Sequence, residues 1–214
     1  MIAGKKAAIF DLDGTILDSM GIWTKIDVAF LKKRKLELPE DYQRAIATMD
    51  AYSGALYTIE RFALDEKPEE LMQEWFDMAY DAYANHLPLK PGVAEYFSML
   101  HRQGIPMAVA TSSDQVLVLP ALERTGLLPM LKTVVTAVEV SRGKGFPDIY
   151  EKASGILDVE PTDCVVFEDI VEGITGAKMG GFYTVGVNDG GSQHQEQEMR
   201  RLSDRYIMSF TELL

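Results

Sequence analysis

Short apolar runs alternate along this chain with longer stretches that are apolar on one helical face only. The runs are Ala7–Leu12 (AAIFDL), Pro106–Ala110 (PMAVA), Thr133–Val138 (TVVTAV), Cys164–Phe167 (CVVF) and Phe182–Val187 (FYTVGV). They are nearly continuous in apolar residues, the pattern of strands covered on both faces. Between them, Val93–Arg102, Asp114–Arg124, Asp148–Gly155 and Val171–Gly180 carry helical spacing. This alternation predicts an α/β core built on a doubly wound parallel sheet.

One interval breaks the alternation. Between Asp18 and Leu87 no strand pattern occurs. Ile22, Trp23, Ile26 and Phe30 recur at helical spacing, and the basic run Lys32–Lys35 closes that pattern as cations at a helix C-terminus do. Further on, Leu71, Met72, Trp75, Phe76, Ala79, Tyr80, Tyr83 and Leu87 form one stripe, and Glu69, Glu70, Glu74, Asp77 and Asp81 the opposite face. Pro68 suits the first turn of this helix. The chain therefore divides into an α/β core, residues 1–17 and 88–214, and a helical insert, residues 18–87. An insert just after the first strand is expected to overhang that strand's carboxyl end, where ligands bind in open α/β sheets.

Composition narrows the function classes. With 214 residues, 47% hydrophobic and 25% charged, the chain is a folded globular protein rather than a disordered one. Its formal net charge of −12 disfavours nucleic-acid and anionic-membrane partners. No apolar stretch approaches the roughly 18 residues of a membrane span, and Ala7–Phe10 is too short for a signal-peptide core. The single cysteine, Cys164, lies in an apolar run and reads as a buried residue. A cytoplasmic protein is expected. The oligomeric state is not legible at this level.

The chemistry sits at the strand ends. Asp11 and Asp13 come directly after the apolar residues that end at Phe10, and residues i and i+2 of an extended chain point the same way. Two carboxylates so placed need a cation, a shared proton or different roles. Asp-x-Asp-Gly also serves as a plain turn, and the further ligands of a calcium loop are absent. Glu168 and Asp169 end the fourth run. If that strand neighbours the first, three or four carboxyl groups converge into an oxygen-rich site suited to Mg²⁺. Asp169 could instead cap the helix after it. Thr111, Ser112 and Ser113 follow the second run, where hydroxyls and free N–H groups can cradle an anion or merely cap a helix. Lys144 lies between two glycines in the loop before a predicted helix and, on that loop alone, reads as exposed. Together the set offers a nucleophile, metal-binding carboxylates, a hydroxyl and a cation, the groups phosphoryl transfer needs.

In this order the motifs resemble those of the haloacid dehalogenase superfamily, in its phosphatase and phosphomutase branch. The first motif matches Asp11-Leu12-Asp13-Gly14-Thr15, and the second matches Thr111. The third matches Lys144 with Pro147-Asp148, Gly145 replacing the usual proline. The fourth matches Glu168-Asp169 with Gly173, Ala177 and Gly180-Gly181 behind it. The resemblance covers nearly the whole chain, including the helical cap and the return at Pro91-Gly92.

It implies a Mg²⁺-dependent phosphatase acting on a small phosphorylated metabolite. Asp11 is then the nucleophile and Asp13 the general acid and base. Thr111 and Ser112 hold the phosphoryl group, and Lys144 pairs with Asp11 and the phosphate. Asp11, Asp13 through its carbonyl, Glu168 and Asp169 hold the metal. A β-phosphoglucomutase is the close alternative, but Thr48–Tyr57 lacks the arginine that such mutases carry in the cap. A dehalogenase would not need Asp13, and a non-catalytic binding protein would not need the full set. Trp23, Arg44, Tyr52 and Ser53 are the candidates for substrate selection.

Overall fold

A computed structural model of the chain describes residues 4–46 and 49–214. Thr48, the first residue of the cap segment compared with the mutases, lies outside the described residues. The chain forms two compact units, residues 1–20 with 87–214, and residues 21–86.

The larger unit is built on a parallel six-stranded sheet of order β3-β2-β1-β4-β5-β6. Its strands are β1 (Ala7–Phe10), β2 (Met107–Thr111), β3 (Thr133–Thr136), β4 (Cys164–Glu168), β5 (Tyr183–Val187) and β6 (Arg205–Ile207). The five apolar runs all become strands, each within about a residue or two of its expected bounds. The short edge strand β6 was not among them, because Arg205-Tyr206-Ile207 buries only its last residue. In β1 every residue is buried, and its side chains divide between two cores. Phe10 stacks on Phe167 at 4.7 Å and meets Phe97 at 4.5 Å on one face. Ala7 and Ile9 pack with Val166, Ile149 and Tyr150 on the other.

The smaller unit holds helices α1 (Ile22–Lys33), α2 (Tyr42–Ile46), α3 (Ala51–Phe62) and α4 (Pro68–Asp81), followed by a π-helical turn, Ala82–His86. Its core is Phe30, Leu31, Ala55 and Leu71, with Trp75 and Met78 packed against it. Trp23 lies outside this stripe and is 55% exposed; Phe76 and Tyr80 are exposed as well. The apolar positions are thus more numerous than one buried face needs.

The basic end of α1 is not simply solvated. The Arg34 guanidinium lies 3.7 Å from the Phe30 ring centroid and donates to both Glu66 and Glu74. Its side chain is only 14% exposed. Hydrogen bonding to Arg34 holds the Glu74 carboxyl below its usual value of 4.5. Replacing Arg34 by Met is expected to cost the helical unit about 1–2 kcal/mol. A carboxyl with a lowered pKa contributes above its unfolded value and loses that contribution as pH falls through the folded one. The difference between the two proteins in urea unfolding should therefore be full at pH 7 and shrink below about pH 4.5.

The core helices are α5 (Val93–Arg102), α6 (Gln115–Arg124), α7 (Asp148–Leu157), α8 (Val171–Met179) and α9 (Glu196–Leu202). In α8, added Cβ atoms at Gly173 and Gly176 would overlap the Glu168 carboxylate and the Lys144 carbonyl. Small residues there let the helix lie directly against the site.

Candidate active site

β1 pairs in parallel with β2 on one side and β4 on the other, so chain order reverses at β1. Crevices at such a switch point, outside the carboxyl ends of the strands, are where open α/β sheets bind ligands. Phe10 is in register with Phe167 and Val109, and the Asp11 N–H donates to the Phe167 carbonyl at 2.9 Å. That register brings Asp11, Thr111, Glu168 and Asp169 to one end of the sheet.

There Asp11, Asp13, Thr111, Ser112, Ser113, Lys144 and Asp169 line, with Met20 and Ile170, a cavity of about 230 Å³. Of the seven residues expected from the sequence to act in catalysis, phosphate binding or metal binding, six line it. The seventh, Glu168, lies fully buried beneath, facing Lys144. Lys144 is not the exposed lysine its loop alone suggests, for its side chain is 6% exposed. The loop is folded so as to aim it inward. Arg142 is anchored to Asp148 at 2.7 Å, and the Phe146 N–H donates to the Gly143 carbonyl at 3.0 Å. The Lys144 ammonium then donates to Asp11 and, at 2.6 Å, to Glu168.

The turn after β1 is equally constrained. Gly14 adopts φ +78°, a region that favours glycine, and an added Cβ would overlap the Asp169 carboxylate. The Thr15 hydroxyl donates to Asp169 at 3.2 Å. Asp169 does not cap α8: Ile170 holds that position, and the Val171 N–H is taken by Gln195. Its carboxylate is left for the cavity. Ser113, the last of the hydroxyl run, and Tyr150, which the sequence does not flag, also touch the acids. The Ser113 hydroxyl donates to Asp13 at 2.6 Å, and the buried Tyr150 hydroxyl donates to Glu168 at 2.7 Å. Cys164 is buried, and burial pushes its thiol up to about 11.

Electrostatically the site is short of positive charge. Burial pushes Asp11 well above the usual carboxylate range; Lys144 pulls it back, while Glu168, Asp169 and Asp13 push it further up. Burial, and then Glu168, raises Asp169 to about 7. Burial alone would push the Lys144 ammonium down, but the Asp11 and Glu168 carboxylates outweigh it and hold it charged.

Carboxylate oxygens of Asp11, Glu168 and Asp169 come within 4.8 Å of one another. Asp169 Oδ2 and Glu168 Oε2 are buried with no hydrogen-bond partner, a costly state unless something else satisfies them. An all-oxygen, anionic donor set fits a hard metal ion. Among the described residues no helix is long and apolar enough to cross a membrane.

The chain is similar to known proteins over most of its length. The chain is 31% identical over 188 residues to a validoxylamine A 7'-phosphate phosphatase of Streptomyces hygroscopicus subsp. limoneus, covering 85% of each protein. It is 28% identical over 197 residues to a β-phosphoglucomutase of Bacillus subtilis, covering 86% of this chain and 84% of that one. The solved structure of a HAD family hydrolase from Deinococcus radiodurans, with bound phosphate and sodium, superposes with a TM-score of 0.74 at 26% identity. That overlap covers 99% of this chain and 94% of the other. The family model for haloacid dehalogenase-like hydrolases matches residues 5–181, which span both strand-end acid pairs, Thr111 and Lys144, and on that match the chain belongs to this hydrolase family.

Proposed function

We propose that the protein is a Mg²⁺-dependent phosphatase that hydrolyses a small phosphate monoester through an aspartyl-phosphate on Asp11. What supports this reading above all is the convergence of Asp11, Lys144, Asp169 and Thr111 around one cavity at the switch point. The Streptomyces relative is named for a phosphate ester of a small molecule. We place the substrate in that class, a sugar phosphate or similar metabolite, and the protein in the cytoplasm.

In this mechanism the Asp11 carboxylate attacks phosphorus while the bond to the leaving oxygen breaks. Asp13 gives that oxygen a proton and then takes one from the water that cleaves the acyl phosphate. Thr111 and the backbone N–H of Ser112 hold the phosphoryl oxygens. Lys144 favours the ionised form of Asp11, the nucleophile, and offsets charge that develops on the phosphoryl group. Mg²⁺, when held by Asp11, the Asp13 carbonyl and Asp169 with Glu168 in support, supplies positive charge against the same oxygens.

The Bacillus relative makes a phosphomutase the second reading. A mutase must grip a second phosphate. In the described part of segment 48–57 there is no arginine or lysine, and the nearby Arg61 is engaged by Asp41 and Tyr57. Incubation with a panel of sugar phosphates and Mg²⁺ is expected to release inorganic phosphate. A sugar 1-phosphate given with a bisphosphate primer should likewise yield free phosphate. Isomerised sugar phosphate without phosphate release would make the protein a mutase.

A further inference from the structure

The geometry points to Lys90 as a positioning residue for the catalytic turn Asp13–Thr15, acting through the carbonyl of Gly14. The inference rests on the phosphatase reading above and adds a residue outside its four motifs. Lys90 lies on the segment that returns the chain to the core, yet its side chain is only 12% exposed. Burying a lysine costs rotamer freedom and desolvation, so its contacts must be specific.

They use all three donors an ammonium has. Lys90 Nζ donates to the Gly14 carbonyl, to the Asn188 carbonyl at 2.7 Å and to Asp189 Oδ1 at 2.7 Å. Asp189 is itself buried, and its second oxygen accepts the Gly191 N–H at 2.7 Å. The carboxylate is thus fixed by its own loop, beyond the end of β5, and fixes the lysine in turn. The backbone of Lys90 is held as well, its N–H donating to the Ile16 carbonyl at 2.8 Å.

The anchored carbonyl belongs to the residue on which the turn pivots. The Gly14 N–H donates to the Leu17 carbonyl at 3.0 Å, so Lys90 completes the restraint of Gly14 at both its polar atoms. Gly14 is bonded to Asp13 on one side and, on the other, to Thr15, whose hydroxyl donates to Asp169. A shift of Gly14 therefore moves the general acid and the hydroxyl that orients Asp169 together. Lys90 does not line the cavity, so it has no direct hold on the phosphate there. Its loss should be felt in the chemical step more than in binding, because misplacement by about 1 Å costs about 10²-fold in rate.

The test is steady-state kinetics of Lys90→Met, Lys90→Arg and Asp189→Asn beside the wild type, with thermal unfolding of each. For Lys90→Met, kcat should fall 10- to 100-fold while KM stays within threefold. Lys90→Arg, which keeps the charge and donors for Asp189, should recover most of that loss. Asp189→Asn keeps an acceptor for Lys90 but drops the charge, and should lower kcat 3- to 10-fold at unchanged KM. If Lys90→Met does not fold, Asp189→Asn decides. An active wild type beside variants whose kcat stays within twofold, or whose loss is all in KM, overturns the role of Lys90 alone. A wild type that releases no phosphate from any ester overturns the phosphatase reading, and this inference falls with it.

Discussion

Replacing Asp11 by Asn is expected to lower phosphate release by at least about 10⁴-fold, as loss of a covalent nucleophile does elsewhere. The substitution keeps volume and shape at a fully packed position. The amide oxygen of Asn can still accept from Lys144, but it cannot form an acyl phosphate under these conditions. The fold should not suffer. Burial above all, with Glu168, Asp169 and Asp13 adding to it, pushes the Asp11 carboxyl well above the usual range, so a charge there is held at a cost that Lys144 offsets only in part. Removing that charge relieves the cost, and the metal-free variant should melt at or above the wild-type temperature. Phosphate release and circular dichroism melting on the same preparation check both halves. Turnover near the wild-type rate in a clean preparation would remove Asp11 from the role of nucleophile.

Much of this site is legible in the sequence. Parallel strands with both faces covered are apolar throughout, so the first polar residue after each run marks a carboxyl end. Asp11, Thr111 and Glu168 could be found that way, and Asp13 followed from the period of an extended chain. Lys144 was harder, because its loop carries no apolar pattern. Only the other motifs made its burial intelligible. What escaped were partners brought together by topology alone. Tyr150 reads as an ordinary apolar position of α7, and nothing near it in sequence announces a hydrogen bond to Glu168. Lys90 and Asp189 sit in separate loops and meet only because the sheet places the end of β5 near the turn after β1. In the helical unit the apolar patterns are wider than the buried faces. Trp23 and Phe76 fall at helical spacing but stay exposed, since periodicity marks a face and not how much of it is covered.

Chelating divalent cations is expected to abolish phosphate release, and returning Mg²⁺ to restore it. Much of the charge behind the net −12 sits on exposed groups such as Glu69, Glu70, Asp77 and Asp81, and salt screens it over a Debye length of about 8 Å. The buried acids at the sheet end are different. Lys144 pairs with Asp11 and Glu168, and two oxygens of the cluster, on Glu168 and Asp169, are buried with no hydrogen-bond partner. A phosphate ester approaching this cluster without a compensating cation meets like charge at short range. The same imbalance sets a pH dependence. Burial and Glu168 raise Asp169 from 3.8 to about 7 in the metal-free fold, so between those values the folded protein holds a proton the unfolded chain has lost. Stability of the metal-free protein should therefore fall as pH rises through that window. A metal competes with this proton for the same oxygens. The increase in melting temperature on adding Mg²⁺ should be small at pH 5 and largest near pH 8. Turnover that persists in EDTA, or a melting shift that does not grow with pH, would count against a cation held by these carboxylates.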